Sequence, residues 1–149
     1  MNNIFNMFDI LLNPSSSEGF GIPIIEAQAT GIPVIVNDWT SMPELITKGQ
    51  TGLITKRGHQ MFMPAGGYVT FPDVQSLSEQ MLRMTKWDSE VTKKACLEWV
   101  KQYDIDYVWE NHWEPFLTRI DKEIYGAELP RTYRMVDTIK TPSLTAPNA

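Results

Sequence analysis

The sequence predicts an α/β fold: a short parallel sheet with crossover helices, then a run of further helices. Three observations carry this. Apolar runs at Asp9–Asn13, Pro33–Asn37 and Gly52–Thr55 read as buried strands. Helical patterns with Gly and Pro punctuation separate them, which is the order of a parallel sheet. From about Asp73 to Ile120 helical patterns follow one another.

The elements follow in order. Residues 1–8 read as part of an earlier helix packed on the sheet. The first strand is stopped by Pro14. Pro23 to Thr30 reads as a helix, with Pro at its first position and Gly31 just past its end. A short helix begins at Ser41, where Ser41-Met-Pro-Glu44 has the form of a capping box. Lys56 to Pro72 is long for a connection, and such loops are often functional or disordered. Asp73 is placed to cap a helix to about Thr85, with Val74, Leu77, Met81 and Met84 on one face. Another helix covers about Ser89 to Gln102. The last runs from about Tyr107 to Ile120. Its stripe of Trp109, Trp113, Phe116, Leu117 and Ile120 reads as core. The expected division is one domain over 1–125 and a Pro-, Thr- and Ala-rich tail over 126–149, mobile or wrapped on a partner.

A chain of 149 residues has room for a single core. Thirteen basic against 18 acidic residues, a net charge of −5, argue against a nucleic-acid surface. Cys96 is the lone cysteine, so no intrachain disulfide forms. A reducing, cytoplasmic setting is the expectation, with Cys96 a small apolar helix residue. No apolar run approaches the ~18 residues of a membrane span. Met1 to Leu12 lacks the basic leader and cleavage site of a signal peptide, and peripheral membrane contact stays open. His59 and His112 have no second ligand at metal spacing, so no metal is expected.

The chemistry points to Ser15-Ser-Ser-Glu18-Gly19-Phe20-Gly21-Ile22-Pro23-Ile-Ile-Glu26. A buried strand ends, a Gly-containing turn follows, and a helix begins. Glycines at 19 and 21 let the backbone take positive φ and approach a ligand. Free N–H groups and the helix dipole at such a start form an anion site. The ligand crevice of an open α/β sheet lies beyond the carboxyl ends of its strands, where this turn belongs. A phosphate or diphosphate is the ligand this implies. Glu18 in the turn and Glu26 in the helix add two carboxylates, which accept hydrogen bonds from sugar hydroxyls. The plainer reading makes Glu18 a solvated loop residue and Glu26 a partner of the helix dipole.

The same segment resembles the family 4 retaining glycosyltransferases of the GT-B fold. Their signature, two Glu separated by seven residues, stands here as Glu18-GFGIPII-Glu26. The likeness continues through AQATGIPVIV at 27–36, Met42-Pro-Glu-Leu-Ile46 and Gly49-Gln-Thr-Gly-Leu-Ile54. It extends less specifically to Phe71-Pro-Asp-Val74 and the helices up to about Ile120. It implies a partial Rossmann-like sheet, the second half of the family's C-terminal nucleotide-binding domain. It implies that Glu18, taken as the catalytic candidate, contacts hydroxyls of the transferred sugar in a positioning role. Gly19, Phe20, Gly21 and Ile22 would lie along the sugar and diphosphate, and Glu26 would bind the nucleotide ribose. The donor would be a UDP- or GDP-linked sugar, with no other cofactor and an acceptor the sequence does not name.

Departures from the family pattern are local. Gln28 replaces a common Met at a packing position. Trp39-Thr40 stands where a Gly pair is common, which reshapes the crevice wall. The family's basic diphosphate ligands, the first half of this domain and the acceptor-binding domain have no counterpart in this sequence. The chain alone is therefore expected to bind donor weakly and to lack activity, with the missing half or a second copy as partner. The rival reading is a non-catalytic remnant that binds a nucleotide sugar or a protein. An epimerase-like reading is disfavoured, because no G-x-G-x-x-G turn follows the first strand.

Overall fold

The computed structural model describes residues 2–126. The chain divides into two compact units, one ending at Tyr107 and one beginning at Val108.

In the first unit, α1 (Asn2–Phe5) leads to β1 (Leu11–Asn13), α2 (Ile22–Ala29), β2 (Val34–Asn37), a 3-10 turn over Met42–Leu45, and β3 (Gly52–Thr55). The strands form a parallel sheet in the order β1-β2-β3. Leu12 sits opposite Ile35, and Ile35 opposite Leu53. The α/β expectation holds, with each expected strand in place. The second strand begins at Val34 rather than Pro33. Proline has no N–H for a ladder, and Pro33 contributes only its carbonyl, which accepts from the Leu11 N–H at 3.0 Å.

All four residues of β2 are buried, as a central parallel strand requires. Its alternation splits the core in two. Val34 and Val36 pack with Ile24 and Ala27 of α2 and with Met42, Leu45 and Phe5. Ile35 packs with Leu53 and Met84 on the opposite face. Met84 belongs to α3 (Val74–Met84), whose cap is the expected one: the Asp73 carboxylate accepts from the Ser76 N–H at 2.7 Å. Only part of the α3 face is covered, since Leu77 and Met84 pack while Val74 and Met81 are exposed. α4 (Ser89–Trp99) is capped by Asp88 and continues as a 3-10 turn over Val100–Tyr103. It buries Cys96, as expected of a small apolar helix residue. Among the described residues, no strand pairs with the outer side of β1.

Three expectations about the first unit are corrected. The 56–72 segment is no structureless loop. It is an antiparallel hairpin of β4 (Arg57–Met63) and β5 (Gly67–Pro72), with Phe62 opposite Tyr68 and Met61 opposite Val69. Every residue of β4 is exposed, so it lacks the apolar/polar alternation that marks a half-buried strand. The Ser41 capping box does not form, because Ser41 makes no cap bond and its hydroxyl turns to the 18–20 turn. Gln28 is more than filler. It is fully buried, and its Nε2 donates to the Ile24 and Leu45 carbonyls at 3.1 and 2.8 Å, stitching α2 to the 3-10 turn.

α5 (Ile105–Val108) spans the division between the units. The second unit continues as a π-helical turn over Trp109–Trp113 and α6 (Glu114–Tyr125), closed by Gly126 at φ +65°. The aromatic stripe expected to be core is exposed: Trp113 is 52% accessible, and Trp109, Phe116 and Leu117 are exposed with it. A helical stripe becomes core only against an opposing face, and among the described residues this helical stretch has none within its own unit. Trp113 and Phe116 meet edge to face at 6.2 Å, and Arg119 lies over Phe116 at 5.9 Å. The expected tail, past Gly126, lies outside the described residues. Among the described residues, no helix is long and apolar enough to cross a membrane.

Candidate functional site

The site is built where β1 and β2 end. From Asn13 the chain runs through a turn of small residues into α2, and from Asn37 it runs beside that turn toward the Met42–Leu45 segment. Side chains of the second run hold the first. Thr40 Oγ1 accepts from the Glu18 N–H at 3.1 Å. Ser41 Oγ donates to the Phe20 carbonyl at 2.8 Å. Asn37, fully buried, donates through Nδ2 to the Ser15 carbonyl at 3.3 Å and to the Thr70 carbonyl of β5. The Thr70 N–H returns to the Ser16 carbonyl at 3.1 Å. The turn is thus pinned to β2 on one side and to the hairpin on the other.

Thr40 has φ +50°, the one non-Gly residue with positive φ among those described. A β-branched side chain there is strained by about 1–3 kcal/mol. Its hydroxyl offsets part of that by holding Glu18 and donating to the Trp39 carbonyl at 2.8 Å. The strain falls where the sequence replaces a common Gly pair with Trp39-Thr40.

Of the two glycines flanking Phe20, only Gly21 is conformationally required. It has φ +100°, and a Cβ there would meet Ile24 Cδ1 and Leu45 Cδ1 at 3.0 Å each. Gly19 faces open space instead. Helix α2 begins at Ile22, which puts Pro23 one position later than expected. Among the described residues, the N–H groups of Gly19, Phe20 and Gly21 donate to no protein oxygen. The turn therefore presents unused donors at the positive end of α2.

Glu26 is half-buried on α2 and lines a cleft of about 700 Å³ with Phe20 and Ile22; Lys101, Tyr103 and Asp104 form the facing wall. Phe20 and Tyr103 meet edge to face at 6.0 Å. Burial, and then the Glu44 carboxylate, raise the Tyr103 pKa above the usual phenol value, so it stays a neutral donor. Glu18 is half-buried and lies outside that cleft. The structure therefore brings Phe20, Ile22 and Glu26 to one hollow and leaves Glu18 on the turn that Thr40 holds. Sequence reasoning missed Asn37, Ser41 and Tyr103. A polar residue ending the apolar run VIVN was the available signal for Asn37.

This arrangement leaves backbone amides open at the start of α2, with the Glu26 carboxylate in the cleft beside them. Comparison with known proteins shows what the segment is similar to. Residues 1–63 match the family described as glycosyl transferases group 1. An O-antigen chain mannosyltransferase B of Escherichia coli is 33% identical over 66% of this chain and 21% of its own length. A D-inositol 3-phosphate glycosyltransferase of Corynebacterium urealyticum is 27% identical over 73% of this chain and 22% of its own. An uncharacterized 41.2 kDa protein in the cps region of Klebsiella pneumoniae is 37% identical over 60% of this chain and 21% of its own. The chain spans about a fifth of the length of these relatives. The family match contains the Glu18–Glu26 segment whole.

Proposed function

We propose that this chain supplies one wall of the donor site of a retaining glycosyltransferase that uses a nucleotide sugar, as in the family 4 enzymes. The observation that carries the reading is the Gly19–Ile22 turn, with unused N–H groups at the start of α2 and Glu26 beside it. The amides and helix dipole receive the diphosphate and stabilise the charge it gains as the sugar departs. Glu26 accepts from the ribose hydroxyls, and Glu18 accepts from hydroxyls of the transferred sugar. Both act by position, holding the donor in a reactive geometry. The remainder of the donor site and the acceptor site come from polypeptide outside these residues, so the chain alone binds donor weakly and transfers nothing.

Calorimetric titration with UDP- and GDP-sugars tests this, using the 149-residue chain and its Glu18→Gln and Glu26→Gln variants. Each lost charge-assisted bond should weaken binding by about 10- to 100-fold. Equal affinity in wild type and both variants, or tighter binding of NAD than of any sugar nucleotide, refutes the assignment.

A further inference from the structure

The β4–β5 hairpin pins the motif turn through Thr70, and the composition of its far end is unusual. Its tip carries Met61, Phe62, Met63 and Tyr68, all exposed, with Phe62 and Tyr68 each 58% accessible. Cross-strand register places them on both faces. Phe62 lies opposite Tyr68 on one, their rings 5.1 Å apart, while Met61 and Met63 share the other. Two strands alone cannot bury apolar side chains on both faces. A flat protein patch would cover one face only, whereas a fluid apolar phase covers both.

Charge points the same way. The chain carries a net −5, yet the segment from 56 to 72 contains no acidic residue. Its ionised groups are Lys56 and Arg57, with His59 close by, all exposed and all at the base of the hairpin. Arg57 is held there by the Asp38 carboxylate at 3.0 Å and lies over the Trp39 ring. Six strand steps separate Arg57 from Met63, about 20 Å. Asp38 neutralises Arg57, which leaves Lys56 as the cation at the base. An apolar, aromatic tip ahead of that lysine matches the layering of an anionic lipid surface, with acyl chains beneath phosphate headgroups.

We propose that the tip of this hairpin inserts into the interfacial region of an anionic lipid bilayer, with Lys56 contributing at the headgroup level. The inference stands on the hairpin alone and survives failure of the transferase reading. The test is co-sedimentation of the 149-residue chain with phosphatidylcholine vesicles, with and without phosphatidylglycerol. The chain should sediment with the phosphatidylglycerol vesicles. Met61→Ser, Phe62→Ser and Met63→Ser combined should lower the bound fraction at limiting lipid by tenfold or more, since burying one large apolar side chain is itself worth about tenfold. Lys56→Gln should weaken binding by about fivefold and flatten its salt dependence. These side chains are exposed, so unchanged circular dichroism will show that the variants fold. Absence of wild-type binding to either vesicle, or a triple variant that binds as wild type does, overturns the proposal. So does a wild-type dimer that the triple variant abolishes while vesicle binding is absent, which would make the tip a protein contact.

Discussion

Replacing Asn37 tests whether one buried amide holds the site together. Its Nδ2 serves the Ser15 carbonyl of the motif turn and the Thr70 carbonyl of the hairpin, and its Oδ1 accepts from Thr55 Oγ1 at 3.5 Å. Asn37→Ala leaves two carbonyls without a donor. A buried unsatisfied acceptor costs about 1–3 kcal/mol, and Ser15 is only half-buried, so a loss of about 2–4 kcal/mol is expected. Asn37→Asp keeps the shape and reverses the chemistry, because an ionised carboxylate only accepts and would face both carbonyls. Its desolvation adds several kcal/mol. Domains of this size hold about 5–15 kcal/mol in all, so the carboxylate variant should be largely unfolded at neutral pH. The sign of its pH dependence follows. Burial raises the folded-state pKa of a carboxyl above its unfolded value of about 3.9. The penalty is therefore absent below that value and grows as pH rises toward the folded pKa. Urea unfolding of the three proteins at mildly acid and at neutral pH is the assay. Relative to wild type, Asn37→Asp should recover on acidification while Asn37→Ala stays level. An aspartate variant as stable as wild type at neutral pH refutes this role for Asn37.

The two glycines of the turn should separate cleanly. Gly21→Ala meets both positive φ and two side chains at 3.0 Å, and should cost about 2–4 kcal/mol in urea unfolding, whereas Gly19→Ala should leave stability unchanged. Burial pushes the Cys96 thiol up to about 12, so at pH 8 its thiolate fraction is on the order of 10⁻⁴. Labelling by a disulfide reagent should therefore be blocked until urea unfolds the chain, and stability should fall as pH rises above the unfolded thiol value of 9.0. Rapid labelling of the native chain would show that α4 does not hold Cys96 packed beside the Thr51 carbonyl.

Much of the fold was legible because its signals are local. Three apolar runs, Pro23 near a helix start and Gly31 past its end each state a conformation within a few residues. What stayed hidden depends on distant partners. Ser41 has the spacing of a capping box, yet its hydroxyl finds the Phe20 carbonyl, 21 positions away. The hairpin escaped notice because every residue of β4 is exposed, and alternation appears only when one face is dry. The Trp109–Leu117 stripe gave a true helical period and a wrong burial, since periodicity says which face is apolar and not whether anything covers it. At the site, the Gly turn and Glu26 could be placed from sequence. The departure of Glu18 from the cleft could not, because it follows from how Thr40 and Ser41 hold the turn.

The attachment of the hairpin has a mechanical consequence. It is fastened at Thr70 to Asn37 and Ser16, at Tyr68 to the Trp39 indole N–H, and at Arg57 to Asp38. Tyr68 pairs with Phe62, so these bonds run from the base of the hairpin almost to its tip. The hairpin is therefore a brace rather than a free arm. Its bond to Ser16 steadies the backbone two residues before Glu18 without touching the carboxylate.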